Sequence, residues 1–152
     1  MPMVAERVKA EPGAPPVPPQ FAKETVMVDR ARVLEFVDAV VNGNHADAIR
    51  NFYHRDASMQ ENLAPPRCGL DHLIAHEEAS LTRIQAILTH PPRTLLIEQD
   101  TVVIEWIFDI TDRTGAVRRL QEVAVQRWES DLIIEERFFY DSATAWKPVQ
   151  PD

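Results

Sequence analysis

From Thr94 onward the chain switches to a period of two and keeps it for almost fifty residues. Four successive runs carry the alternation: Thr94–Gln99, Thr101–Asp112, Val117–Glu129 and Leu132–Asp141. Alternation of this kind is the pattern of half-buried strands. The links are Asp100, Arg113-Thr114-Gly115 and Ser130-Asp131. Links this short suit tight antiparallel hairpins. Four long strands in sequence must form one twisted, curling sheet with one face that needs covering. On the face to be covered the alternation places Ile104, Trp106, Phe108 and Ile110, then Leu120, Glu122, Ala124, Gln126 and Trp128, then Glu136, Phe138 and Tyr140. The opposite face holds Val103, Ile107, Val123 and Val125, an apolar set that points to burial in a homodimer.

The cover comes from the residues before Thr94. Val33, Phe36, Val37, Val40 and Val41 fall at helical spacing and predict a helix from about Val28 to Asn42, with Gly43 as a left-handed stop. Asn44 caps a second helix, with Asp47 three residues on and Ile49, Phe52 and Tyr53 on its apolar side. A short strand follows to about Asn62 and carries Glu61. Prolines in Leu63–Gly69 make that stretch a loop. A third helix then runs from Leu70 to the Pro91-Pro92 stop, with a stripe of Leu70, Leu73, Ile74, Leu81, Ile84 and Leu88. Glu77 lies inside this stripe, an unusual place for an unpaired carboxylate. Three helices gathered at one end of a curled antiparallel sheet make an α+β domain, cone-shaped, with a cavity between helices and sheet.

A chain of 152 residues suits one such domain, placed at 25–145. Residues 1–24 hold six of the twelve prolines and few large apolar side chains, which predicts a disordered tail. Residues 146–152 read as a second tail, with Trp146 folding back over an edge. The formal net charge of -8 argues against nucleic acid or an anionic membrane as partner. Cys68 is the single cysteine, so no intrachain disulfide can form. No apolar run approaches a membrane span, and the first residues lack the apolar core of a signal peptide. A cytoplasmic location follows as the expectation.

Three stretches resemble the nuclear transport factor 2-like superfamily, in its SnoaL-like and ketosteroid isomerase-like branch. Phe52-Tyr53-His54-Arg55-Asp56-Ala57 is similar to the lead into the family's first strand. Pro65-Pro66-Arg67-Cys68-Gly69 resembles the loop before its third helix, and Ile133 to Asp141 resembles its last strand. The resemblance implies a cone-shaped fold, a small-molecule pocket and a homodimer. It also implies chemistry to be tested residue by residue. The isomerase base matches Glu61. The two oxyanion donors match Phe36 and Ala124, so both are missing. The Asp-Arg-Asp set of limonene-type epoxide hydrolases would fall near Trp106, Phe108 and Phe138, and is missing too.

The candidate site residues follow. Glu61 is the candidate general base, since a carboxylate in an apolar pocket shifts toward the working range of a base. Its bland alternative is a rim glutamate paired with Arg67. Glu77 is the second candidate, able to face Glu61, or else bonded to Tyr53 or an arginine. His76 beside it is a candidate proton carrier. Phe36, Tyr53, Trp106, Phe108, Glu122, Ala124, Trp128, Glu136, Phe138 and Tyr140 are the candidate substrate-binding set. His72 and His76 have metal-ligand spacing without a third ligand. Phosphate loops, zinc cysteines and nucleophile elbows are lacking, so neither metal nor cofactor is expected. The function expected is a cofactor-free isomerase, cyclase or dehydratase acting by proton transfer on a small apolar carbonyl or hydroxyl compound. The alternative is a dimeric module that binds a metabolite without changing it.

Overall fold

Helix α1 (Arg30–Asn42) starts where the Asp29 side chain accepts the Ala31 N–H at 2.9 Å. A computed structural model describes this and the rest of residues 26–149, so the proline-rich stretch expected as a tail lies outside the described residues. Val33, Phe36 and Val40 form the buried side of α1. Gly43 ends the helix, but not in the left-handed conformation expected of it. Its φ is −115°, ordinary extended backbone. Space is the requirement there: Gly43 N–H bonds Ala39 O at 3.0 Å, and a Cβ would lie 2.6 Å from that oxygen.

Helix α2 (His45–Phe52) is capped by Asn44, whose Oδ1 accepts the Asp47 N–H at 3.2 Å. It runs straight into β1 (Tyr53–Glu61). The next loop contains a two-residue strand, β2 (Arg67–Cys68), paired to Met59 and Ser58. Helix α3 (Leu70–Leu81) follows and buries Leu73.

Here the sequence expectation needs correcting. The helix does not continue to Pro91. It stops at Leu81, and Ile84–Thr89 is a strand, β3, paired antiparallel with β5 (Thr101–Asp112). The spacing of Leu81, Ile84 and Leu88 imitates a helical stripe, but Leu88 is exposed. The prolines act on a strand instead. β3 pairs with residues 108–112 of β5, and β4 (Thr94–Glu98) continues the same edge against residues 101–105. Pro91-Pro92 interrupts that edge, because proline has no N–H to give to the ladder.

Strands β6 (Val117–Glu129), β7 (Leu132–Phe139) and β8 (Lys147–Pro148) complete a sheet ordered β2-β1-β7-β6-β5-β3. It is mixed, not wholly antiparallel, because β1 runs parallel to β7. That pairing places Met59 beside Glu136 and Glu61 beside Phe138. A register shift opposite Arg127 and Trp128 lets Ile133 and Glu136 both turn inward from β7. β8 takes the place beside β6 after β7 has ended, which draws Trp146 and Ala145 against the domain.

The concave face is the core. Phe36 sits at its centre, edge-on to Phe52, Tyr53, Trp106 and Trp128 at ring distances from 5.5 to 6.5 Å. Such edge contacts add to the area these rings bury. Ile104, Ala124, Ile133 and Val102 close the floor. On the convex face Val123, Leu96 and Phe139 are exposed. Among the described residues no helix is long and apolar enough to cross a membrane.

Candidate functional site

Between the helices and the concave face lies a cavity of about 320 Å³. It is reached by the side chains that alternation turns inward from the strands, and by one side of each helix. Glu61, Glu77 and His76 all line it. So do Phe36, Tyr53, Trp106, Phe108, Glu122, Glu136 and Phe138. Three of the residues chosen from sequence do not. Ala124 lies in the floor with a side chain too short to reach the opening. Trp128 lies farther along β6 and spends its Nε1–H on Gln126. Tyr140 lies past the end of β7, where Asn62 Oδ1 holds its backbone N–H at 3.0 Å.

A buried chain of hydrogen bonds backs the cavity wall. Trp128 Nε1 donates to Gln126 Oε1 at 3.0 Å, and Gln126 Nε2 donates to Glu136 Oε2 at 2.5 Å. The Tyr53 hydroxyl donates to the other oxygen of Glu136. Glu136 is 1 % exposed. Burial pushes its carboxyl up to about 7, and the two donated bonds restrain that rise. Burial first, and the Glu136 charge next, raise Tyr53 well above the usual phenol range, so it stays a donor.

Glu122 is different. It is 9 % exposed and faces the cavity, and the polar side chains near it bond elsewhere. Burial pushes its carboxyl up to about 8, followed by the like charges of Glu136, Glu61 and Glu77.

Glu61 takes the position of its bland alternative. Its Oε2 accepts from Arg67 at 3.2 Å, and its side chain is 41 % exposed at the cavity mouth. Glu77 pairs neither with Tyr53 nor with an arginine. Its Oε1 lies 3.6 Å from His45 Nδ1, and His45 Nε2 meets Thr89 Oγ1 at 2.9 Å. His45 is a cavity residue that the sequence reading missed, although it stands one turn before Ile49 on the buried side of α2. Trp146, assigned to a tail, also lines the cavity. His72 is exposed on α3, whereas His76, one turn on, lines the cavity. Among the described residues no three histidine, cysteine or carboxylate side chains are grouped to hold a metal ion.

Helices laid in the hollow of a curled mixed sheet, around one carboxyl-rich apolar cavity, define the cone-shaped α+β class of nuclear transport factor 2-like proteins. Within that class the chain belongs to the SnoaL-like domain family, which it matches over residues 33–136. Solved structures agree on the fold. A candidate SnoaL-like polyketide cyclase from Mesorhizobium loti is 20 % identical, with a TM-score of 0.61 over 72 % of this chain and 97 % of that one. TerC, co-crystallised with polyporic acid, is 14 % identical, with a TM-score of 0.63 over 74 % of this chain and 91 % of that one. An LEH-like epoxide hydrolase of M. tuberculosis is 12 % identical, with a TM-score of 0.64 over 76 % of this chain and 84 % of that one. No curated protein matches the chain in sequence. At these identities the likeness to solved structures establishes the fold and leaves the chemistry to this chain's own residues.

Proposed function

We propose that the chain is a cofactor-free acid–base enzyme, an isomerase, cyclase or dehydratase for a small, mostly apolar carbonyl or hydroxyl compound. One observation carries this reading: the buried chain from Trp128 through Gln126 to Glu136 and Tyr53 at the cavity wall. A carboxyl near 7 is protonated for a large share of the time at neutral pH. When protonated, Glu136 can donate to the Tyr53 oxygen, which turns the Tyr53 proton toward a substrate oxygen. Tyr53 lies 6.1 Å from Phe36 between ring centres, so it offers a phenol beside the position that the resemblance matches to an oxyanion donor. Glu61 at the mouth takes a proton from the substrate. Glu77 and His76 on α3 return it. Phe36, Trp106, Phe108 and Phe138 enclose the apolar body. Glu122 has no part in this transfer.

The test is Tyr53→Phe, assayed on enolisable ketones and β-hydroxy ketones. Turnover is expected to fall about 10²- to 10³-fold, the usual loss on deleting one such donor. Substrate binding should change little, because the ring still fills its place beside Phe36. Unchanged turnover would make the network structural. The second reading, a module that binds its ligand unchanged, is favoured by Ala124, which leaves one donor position empty. Recovery of every such ketone unaltered between pH 5 and 9 would leave that reading standing.

A cytoplasmic homodimer through the convex face belongs to the same proposal. Val103, Ile107 and Val125 are half-buried there, and Val123 and Phe139 are exposed. Sedimentation equilibrium is expected to give twice the chain mass, and a monomer at high protein concentration would remove the dimer.

A further inference from the structure

Glu122 is left over from the proton-transfer scheme, yet it occupies a costly position. It is nine-tenths buried and points into the cavity. The hydrogen bonds around it go elsewhere: Tyr53 and Gln126 to Glu136, and Arg67 to Glu61. No described side chain bonds the Glu122 carboxyl, which opens onto the cavity, so a ligand there can supply its partner.

The surroundings specify what kind of ligand. On β5 the residue directly across from Glu122 is Trp106. Cross-strand neighbours on one face have Cβ atoms about 5 Å apart, so carboxyl and indole share one corner. Phe108 stacks on Trp106 with ring centres 5.8 Å apart and extends the aromatic surface. The charged groups facing Glu122 are carboxylic on every side: Glu136 from β7, Glu61 from β1 and Glu77 from α3. The cationic or ionisable nitrogen groups of the cavity are engaged or distant in role. Arg67 of β2 is bonded to Glu61, His45 of α2 lies between Glu77 and Thr89, and His76 stands on α3. A neutral hydroxyl or amide would satisfy one hydrogen bond of Glu122 and make no use of the carboxylate form or of the aromatic wall beside it. An ammonium group answers both the carboxyl and the indole face, since cations are attracted to aromatic faces.

We propose that Glu122 and Trp106 form an ammonium subsite, and that the cavity takes a small amine with an apolar body. This rests on the reading of the cavity as a ligand pocket. It names a second group on the same substrate, and it does not depend on the Tyr53 relay.

Linkage gives the subsite a measurable signature. With its carboxyl pushed up to about 8, Glu122 holds a proton at neutral pH. An arriving ammonium ion favours the carboxylate, so that proton is released to solvent. Affinity should therefore rise from pH 6 to pH 8 and then level off.

The experiment is isothermal titration calorimetry of the whole chain with two probes of equal size, phenethylammonium chloride and 2-phenylethanol. Each is titrated in phosphate and in Tris, so that differing buffer ionisation heats count the protons released. The amine is expected to bind at least about tenfold more tightly than the alcohol at pH 8. Close to one proton should leave per amine bound at pH 7, and affinity should approach a tenfold gain per pH unit between pH 6 and 7. Glu122→Gln should abolish the preference and the proton release while leaving the alcohol's affinity as it was. The wild-type proton count stands even if that variant folds poorly. Equal binding of the two probes without proton release would overturn the subsite and keep the pocket. Binding of neither would overturn the subsite as well. Amine binding together with a silent Tyr53→Phe would sink the relay alone.

Discussion

Raising the pH from 5 to 9 is expected to weaken the fold by on the order of 5 kcal/mol. Glu122 and Glu136 set the size and sign of this loss. In the unfolded chain both carboxyls titrate near 4.5, and in the folded chain burial pushes them up to about 8 and about 7. Between those limits the folded state binds more protons than the unfolded state. Stability must then fall as pH rises, and the favourable contribution is complete only below about 4.5. Each tenfold gain in a carboxylate's proton affinity on folding corresponds to about 1.4 kcal/mol. The two carboxyls do not titrate independently, because the Glu136 charge is itself one of the causes acting on Glu122. Their joint effect is therefore smaller than the sum of the two taken alone. Asp109 adds no slope in this window, since its bonds to Arg119 and His90 hold it at about 2. For a domain of this size the melting temperature should drop by about 10–20 °C. Urea midpoints at pH 5, 7 and 9 check the result. A flat profile would show that the two carboxyls are not buried as described. Glu122→Gln should remove the larger part of the slope, because an amide has no proton to lose at these pH values.

That slope comes from residues which periodicity alone had turned inward. Leu120, Glu122, Ala124, Gln126 and Trp128 are all buried, as a period of two along β6 requires. Charge did not hide them, because alternation places a glutamate as firmly as a leucine. β3 was hidden for a related reason. Leu81, Ile84 and Leu88 repeat at three and four residues, so the stripe of α3 runs on in phase across a boundary with no glycine and no proline. Two prolines farther along then supply a false stop. Local pattern also cannot show which distant strand accepts β1. Its parallel pairing with β7 joins residues some eighty positions apart, and it alone brings Glu61 level with Phe138. The same holds for partners across the cavity. Glu77 stands out in the sequence as a carboxylate in an apolar stripe, but its neighbour His45 comes from another helix. Arg67 could be named as a partner for Glu61 because β2 folds back on β1 within six residues.

Glu61→Gln is expected to lower turnover about 10²- to 10⁴-fold while moving the melting temperature by no more than about 2 °C. The two halves of this prediction have separate causes. As the proposed acceptor of the substrate proton, Glu61 has no substitute in an amide, which does not take up a proton near neutrality. As a structural element it contributes little. Its side chain is 41 % exposed, and its bond to Arg67 at 3.2 Å is of the surface kind that is worth about 0–1 kcal/mol. The amide oxygen can still accept from Arg67, whose Nε already lacks a partner while buried. Glu61→Ala would be the poorer test, since it strands the guanidinium and mixes stability with chemistry. Unaltered turnover in Glu61→Gln would remove the base from the mouth of the cavity. Glu77 would then be next to examine, because it lines the cavity with its Oε1 3.6 Å from His45 Nδ1. A loss confined to Glu77→Gln would move the proton acceptor from β1 to α3 and keep the Tyr53 relay. Full activity in both variants would remove Glu61 and Glu77 from the proton transfer and leave the Tyr53 relay and the proposed Glu122 subsite to their own tests.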